Sequence, residues 1–185
     1  MSTSELDRPQ LDQTKLDRPE LDRTRTEILE WLEKESAKAA DSSKLFQQTV
    51  EAIHAKLPTY NWVGFYMLDP GDASMLVLAQ FAGAATEHTR IPVTEGICGA
   101  AVAQGETVVV DDVSLDPRYL SCSIETKSEI VAPIRVHGSI VGEIDIDSHT
   151  AAAFSAADRL FVERCAEILG GSLESAATSS KIVSK

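Results

Sequence analysis

The sequence predicts an α+β fold in which helices pack on one face of a central, mostly antiparallel β-sheet. Apolar residues recur at helical spacing towards both ends of the chain, whereas strand-like apolar runs fill the middle. Short turn signals join consecutive strand-like segments, which favours antiparallel pairing over crossover connections. The chain has 185 residues, of which 43% are apolar, enough for one core of ordinary size.

The N-terminal part predicts a tail followed by two helices. Residues 1–25 repeat Leu-Asp every five positions with interspersed prolines, and carry little apolar mass, so we expect a flexible tail. Residues 26–38 have apolar positions suited to a helix. Ser42 or Ser43 can cap a second helix, which runs to Leu57 with one apolar face.

The middle of the chain predicts strands. The clearest pattern is a hairpin across His137-Gly138, because the flanking runs are strand-like and the turn contains glycine. A short helix entered through glycine precedes one of the other strands. The predicted strands are 61–68, 75–81, 90–92, 108–110, 130–136 and 139–147, and the short helix is 96–103.

A last helix begins at Ser155, where Ser155 and Asp158 form a capping-box pattern. It ends at Gly170-Gly171, and the Ser- and Ala-rich residues 172–185 predict a second tail. The sequence therefore predicts one domain over residues 26–171.

The acidic composition limits the classes of partner. The chain carries 17 basic and 29 acidic side chains, a formal net charge of −12, which argues against nucleic acid or an anionic membrane surface. No apolar run approaches the roughly 20 residues that span a bilayer, and the N-terminus lacks a signal-peptide pattern. Three cysteines are too few for a disulfide scaffold. We expect a cytoplasmic protein whose thiols serve by their reactivity.

One predicted strand carries an acidic face. Alternation over residues 140–147 places Glu143, Asp145 and Asp147 on the same side, with the last two about 7 Å apart. This face either meets water, as half of an exposed strand should, or points into a pocket. In a pocket, the carboxyl groups would have raised pKa values and could donate protons or bind an ammonium group.

Two of the three cysteines are candidates for chemistry. Cys98 lies at the start of the short helix, where a helix N-terminus favours thiolate and flanking glycines allow a ligand or second sulfur to approach. It can equally be a small buried residue. Cys122 lies in a polar loop near Arg118, which could help its ionisation, so a reactive thiol is predicted. Cys165 is predicted to be core.

Aromatic residues and histidines complete the inventory. Trp62 and Tyr66 share one strand face, either as core or as an apolar box around a thioether or cation. The four histidines do not gather at metal-ligand spacing with a cysteine, so no metal site is predicted. No glycine-rich phosphate loop is present, so nucleotide binding has no support.

Five separated motifs fall in an order that resembles the free methionine-(R)-sulfoxide reductases, a family of single GAF domains. The resemblance covers about residues 30–170. It implies a GAF-like fold and reduction of free methionine (R)-sulfoxide by cysteine thiols. It also implies no metal or organic cofactor and an external dithiol such as thioredoxin as reductant. The motifs are NWVGFY (61–66), RIP (90–92), GICG (96–99), SEIVAP (128–133) and GEIDIDS (142–148).

The resemblance also implies roles for individual residues. The thiol matching Cys122 attacks the sulfoxide sulfur, and Cys98 is a candidate partner for the resulting disulfide, although these two roles could be reversed. The substrate's polar groups would be held by Glu129, Asp145 and Asp147, and its methyl group would be enclosed by Trp62 and Tyr66.

Two positions depart from the family pattern. His88 stands where the family often has a third, resolving cysteine, and Glu143 stands where an aliphatic residue is expected. A GAF module that binds a small ligand without turnover is therefore the alternative. A homodimer through the N-terminal helix is compatible with the sequence.

Overall fold

The computed structural model describes residues 17–39, 41–120 and 123–183, with side chains described up to 175. The predicted α+β class is confirmed, since the described residues form four α-helices and one antiparallel sheet of six strands. The helices are α1 (Arg18–Ser36), α2 (Ser42–Lys56), α3 (Gly96–Gln104) and α4 (Ala156–Val183). The strands are β1 (Trp62–Asp69), β2 (Asp72–Ala82), β3 (Arg90–Pro92), β4 (Val108–Val110), β5 (Ser128–Val136) and β6 (Ser139–Ser148).

The strands lie in the order β3-β2-β1-β6-β5-β4. The predicted hairpin is confirmed: Val136 pairs with Ser139 across His137 (φ 48°) and Gly138 (φ 80°). Both turn residues have positive φ, the requirement of a two-residue turn that follows the twist of the strands. The central pair β1–β6 joins segments far apart in sequence, and it brings Trp62 opposite Asp147.

Both faces of the sheet are covered. Helices α1, α2 and α4 pack on the face to which Val63 and Phe65 of β1 point, while α3 packs on the opposite face with Trp62 and Tyr66. The prediction of helices on one face is therefore wrong for α3. The central strands are therefore buried on both faces, as is usual for strands between two layers of secondary structure.

Helix α1 begins at Arg18 rather than at residue 26, so residues 18–25 are helical and not part of a tail. The Asp17 side chain accepts a hydrogen bond from the Glu20 amide, and the Glu20 side chain accepts one from the Asp17 amide. Pro19 occupies the first turn, where its missing N–H leaves no bond unmade. The proline that suggested a tail therefore starts a helix. Residues 1–16 lie outside the described residues.

The prediction of a tail after Gly171 is wrong, because helix α4 continues past Gly171 to Val183. Its start follows the prediction: the Asp158 carboxylate accepts hydrogen bonds from the Ser155 amide (2.8 Å) and hydroxyl (2.6 Å). Gly170 lies directly against the Arg135 carbonyl of β5, so the glycine there allows close packing rather than ending the helix. Among the described residues, no helix has the length and apolar character needed to cross a membrane.

Candidate active site

A cavity of about 510 Å³ opens between β1, β6 and two loops. Trp62, Tyr66, Asp145 and Asp147, all predicted as site residues, line it together. A larger groove of about 1330 Å³ lies beside α4 and the β5–β6 turn, but none of the predicted site residues line it. The smaller cavity is therefore the candidate site.

The aromatic wall of the cavity is fixed by hydrogen bonds at both rings. The Trp62 indole N–H donates to the Ala84 carbonyl at 3.0 Å, and the Tyr66 hydroxyl donates to the His88 carbonyl at 2.7 Å. The two ring centroids are 6.2 Å apart. The Trp62 ring lies over Gly64, where an added Cβ would be 2.1 Å from a ring carbon. The glycine in NWVGFY thus makes room for the ring.

The acidic face is buried. Glu129, Glu143, Asp145 and Asp147 are each at most 5% exposed, so the interpretation in which this face meets water is wrong. Helix α3 and the adjoining loops cover this side of the sheet. Glu129 lies directly opposite Asp147 in the β5–β6 ladder, which places two carboxyl groups side by side. The pocket interpretation is the one that the structure supports.

Burial shifts the ionisation of these acids. It raises the pKa of Glu143 to about 8. Burial, together with the charge of Glu143, raises the pKa of Asp145 to about 8. Burial and neighbouring carboxylates also raise the pKa values of Glu129 and Asp147. At neutral pH, the face therefore holds protons that it can donate, and a cation would favour the ionised forms.

Cys98 lies in the first turn of α3, 5% exposed, with its Sγ 3.6 Å from Oδ2 of Asp145. Burial, and then the charges of Asp145, Glu143 and Glu129, raise the pKa of the Cys98 thiol well above its usual value. Burial and these carboxylates therefore outweigh the stabilisation that the N-terminus of α3 would give the Cys98 thiolate. An added Cβ at Gly99 would be 2.9 Å from the Val93 carbonyl, so Gly99 serves close backbone packing rather than ligand approach.

Cys122 lies outside the described residues, but Ser123 and other residues of the same loop are placed. Ser123, the next residue, lines the cavity, and its carbonyl accepts a hydrogen bond from the Tyr119 hydroxyl at 3.2 Å. Arg118 pairs with both carboxylate oxygens of Asp116, at 2.9 and 2.6 Å, so its charge is engaged. Cys165 is fully buried in the core, as predicted.

Sequence reasoning missed several polar residues at the cavity. His54 and His149 both line it, although the sequence suggested that the histidines do not gather. Asn61 connects them, since its carbonyl is 3.2 Å from His54 Nε2 and its side chain accepts from the His149 amide at 2.8 Å. These residues lie in a helix and in loops, where periodicity does not show which side chains point inward. The position of Asn61 at the start of the NWVGFY motif was the available signal.

Fold and site together define a small α+β domain with one cavity lined by aromatic residues and buried acids. The GAF domain family model matches residues 41–173. The chain is 36% identical to protein YtsP of Bacillus subtilis over 142 residues, which cover 77% of this chain and 86% of that protein. It is 36% identical over 110 residues to the free methionine-R-sulfoxide reductase of Escherichia coli, covering 60% of this chain and 64% of the reductase.

A solved structure of a free methionine-R-sulfoxide reductase is also similar to this chain. The X-ray structure of free methionine-R-sulfoxide reductase from Neisseria meningitidis, in complex with its substrate, superposes with a TM-score of 0.82 at 33% identity. The match covers 89% of this chain and 97% of that one. The chain therefore belongs to the GAF domain family, among the relatives of the free methionine-R-sulfoxide reductases, and the resemblance drawn from the sequence is confirmed.

Proposed function

We propose that this protein is an oxidoreductase that reduces free methionine (R)-sulfoxide to methionine. The observation that carries the proposal is that one cavity combines an aromatic wall, Trp62 and Tyr66, with the buried acids Asp145 and Asp147. A free amino acid with a methyl sulfoxide has two matching halves: an apolar methyl end and an ammonium group. The reductase relatives support the same substrate.

The acidic wall favours a free amino acid over a residue within a peptide. An ammonium group beside Asp145 and Asp147 would offset the cost of ionising buried carboxyl groups, whereas a peptide nitrogen carries no charge. Reduced affinity for peptide-bound methionine sulfoxide follows from this difference.

The first chemical step transfers oxygen from substrate to enzyme. The thiolate of Cys122 attacks the sulfoxide sulfur while Glu129, the acid of the buried face that is not assigned to the ammonium group, donates a proton to the sulfoxide oxygen. The sulfur–oxygen bond of the substrate breaks, methionine leaves, and the oxygen remains on Cys122 as a sulfenic acid. Sulfur of the substrate is reduced by two electrons, and Cys122 is oxidised by two.

The second step regenerates the thiol. Cys98 attacks the sulfenic sulfur, water leaves, and a Cys98–Cys122 disulfide forms, which an external dithiol such as thioredoxin then reduces. Because His88 occupies the position where the family often has a third cysteine, resolution falls to Cys98 or to an external thiol, and we assign it to Cys98. Its raised pKa requires that a neighbouring carboxylate accept its proton, and Asp145 Oδ2 is 3.6 Å away.

The test measures methionine formed from free methionine (R)-sulfoxide with purified protein and dithiothreitol. We expect turnover that Cys122→Ser abolishes, that Cys98→Ser impairs most strongly when thioredoxin is the reductant, and that the core control Cys165→Ala retains. The (S)-sulfoxide and an N-acetylated (R)-sulfoxide serve as substrate controls. Full turnover by a Cys98→Ser, Cys122→Ser double variant would contradict the thiol mechanism.

The second candidate is a GAF module that binds a small ligand without turnover, which is favoured by His88 in place of a cysteine. Under that function, calorimetry would detect methionine sulfoxide binding that Trp62→Ala abolishes, while the fully reduced protein would produce no methionine. The two functions therefore give opposite results in the same assay.

A further inference from the structure

A cluster of metal-binding side chains lies at the acidic face of the cavity. The sulfur of Cys98 and one carboxylate oxygen each of Glu129 and Asp145 lie within 4.8 Å of one another. The three residues come from α3, β5 and β6, and each is at most 5% exposed. Their backbones are thus fixed by packed elements, while side-chain rotation can bring the three atoms closer.

Unpaired oxygens point to a cation as the ligand of this cluster. Oδ1 of Asp145 is buried without a hydrogen-bond partner among the described residues, and the buried carboxylate oxygens of Glu143 have no partner there other than the Cys98 thiol. No lysine or arginine within residues 17–39, 41–120 and 123–175 forms an ion pair with any of the four buried acids, Glu129, Glu143, Asp145 and Asp147. Buried acids without a positive partner are costly when ionised, and a bound dication removes that cost.

The donor set and spacing select the metal. One thiolate with carboxylates suits Zn²⁺, whereas Mg²⁺ and Ca²⁺ take oxygen ligands only. In a tetrahedral zinc site, bond lengths of about 2.3 Å to sulfur and about 2.0 Å to oxygen place these two atoms about 3.5 Å apart. The Cys98 sulfur and Asp145 Oδ2 are already 3.6 Å apart.

We infer that Cys98, Glu129 and Asp145 bind Zn²⁺, with the buried carboxylate of Glu143 beside them, and that the metal reversibly inhibits the enzyme. On binding, the Cys98 thiol releases its proton to solvent and its sulfur bonds to zinc, with no change in oxidation state. Cys98 can then no longer attack a sulfenic acid, and Asp145 can no longer meet the substrate. Binding is independent of the proposed reductase function, whereas the inhibition rests on it.

No metal site was predicted from the sequence, because that prediction rested on the spacing between histidines and cysteines. The cluster instead joins a thiol to carboxylates that are distant in sequence, and only the packing of α3 against β5 and β6 brings them together. Glu143, the position that departs from the family pattern, places a further buried carboxyl group at this point.

The binding test uses a Cys122→Ser, Cys165→Ala variant, in which Cys98 is the remaining thiol, reduced with a phosphine. We expect Co²⁺ to give a thiolate-to-cobalt charge-transfer band, and Zn²⁺ to remove that band at one equivalent per chain. Further substitution Cys98→Ser should abolish the band, and Asp145→Asn should weaken Zn²⁺ binding by at least about tenfold. Circular dichroism verifies that each variant is folded.

Cobalt binding without the charge-transfer band, or a band that persists in the Cys98→Ser variant, would overturn the site. If the Cys98→Ser variant does not fold, Asp145→Asn decides, because unchanged Zn²⁺ affinity would also overturn it. The inhibition test adds Zn²⁺ to wild-type protein with methionine (R)-sulfoxide, and expects activity to fall and to return with a chelator. Metal binding in a protein that shows no turnover when metal-free would leave the site standing and reject the reductase function.

Discussion

At the residue scale, Trp62 and Gly64 act as one unit in the cavity wall. Three atoms of the Trp62 ring would lie 2.1–2.9 Å from a Cβ at position 64. Because the Trp62 indole is also held by the Ala84 carbonyl and stacked on Phe81, the ring has little room to adjust. The Trp62 ring can therefore take its position in the cavity wall only because residue 64 is a glycine.

This arrangement predicts the effect of Gly64→Ala. The new methyl group should displace the Trp62 ring, destabilise the fold by about 1–3 kcal/mol, and raise the KM for methionine (R)-sulfoxide on the order of tenfold. Gly71→Ala, in an exposed turn where the nearest atom is 3.5 Å from the added Cβ, is the control. Steady-state kinetics and urea unfolding measure both effects. An unchanged KM in the Gly64→Ala variant would show that the ring position does not matter for substrate.

The site residues differ in how well the sequence predicts them. Alternation correctly placed Asp145 with Asp147 and Trp62 with Tyr66, because a strand leaves only two directions for a side chain. Alternation could not show that the acidic face is buried, since that depends on the covering helix α3. For the same reason, the sequence could not decide between a reactive Cys98 thiolate and a small buried residue: the burial and the three carboxylates that raise the pKa of Cys98 come from elements distant in sequence.

At the element scale, helix α4 contains adjacent glycines in opposite environments. An added Cβ at Gly170 would be 2.1 Å from the Arg135 carbonyl oxygen, whereas at Gly171 it would meet nothing within 4 Å. Gly170 therefore lets the helix approach β5, and Gly171 contributes only the conformational freedom that disfavours glycine in helices.

The pair makes a matched test of helix packing. Gly171→Ala should raise the free energy of unfolding by about 0.5–1 kcal/mol, and Gly170→Ala should lower it by about 1–3 kcal/mol through overpacking. Urea denaturation of both variants measures the difference. Two changes of the same sign would contradict the close contact between α4 and β5.

The ends of these helices show where sequence patterns fail. Pro19 and Gly170-Gly171 are residues that commonly mark the limits of helices, and both suggested a boundary for the folded domain. In the structure, Pro19 is in the first turn of α1, and α4 continues through the glycines. The strands, in contrast, begin and end close to their predicted limits, because turn residues flank most of them.

At the scale of the whole molecule, α1 and α4 are joined by a buried polar network. The Asp158 carboxylate accepts hydrogen bonds from Arg25 of α1 (2.5 Å) and from the Tyr60 hydroxyl (2.7 Å), besides capping its own helix. Although burial favours the neutral form, these hydrogen bonds outweigh it and lower the pKa of Asp158. The stability that Asp158 contributes is therefore constant above its usual pKa of 3.8 and is lost only in stronger acid.

The acids of the cavity have the opposite dependence. Burial raises the pKa of Glu143 from its usual 4.5 to about 8, so the folded state favours the neutral form. The associated stability is fully present below pH 4.5 and is lost as the pH rises through about 8. Since Asp158 does not titrate in this window, the protein should be more stable at pH 5 than at pH 8.

Replacing Glu143 isolates its share of this loss. Glu143→Gln keeps the shape of the side chain but does not ionise, so its free energy of unfolding should fall less between pH 5 and pH 8 than that of the wild type. The difference should be at most about 1.4 kcal/mol per pH unit. Urea unfolding at both pH values measures it, with the exposed Glu106→Gln as control. Parallel pH profiles for wild type and Glu143→Gln would mean that Glu143 stays ionised in the folded protein, held by a cation such as the proposed zinc ion.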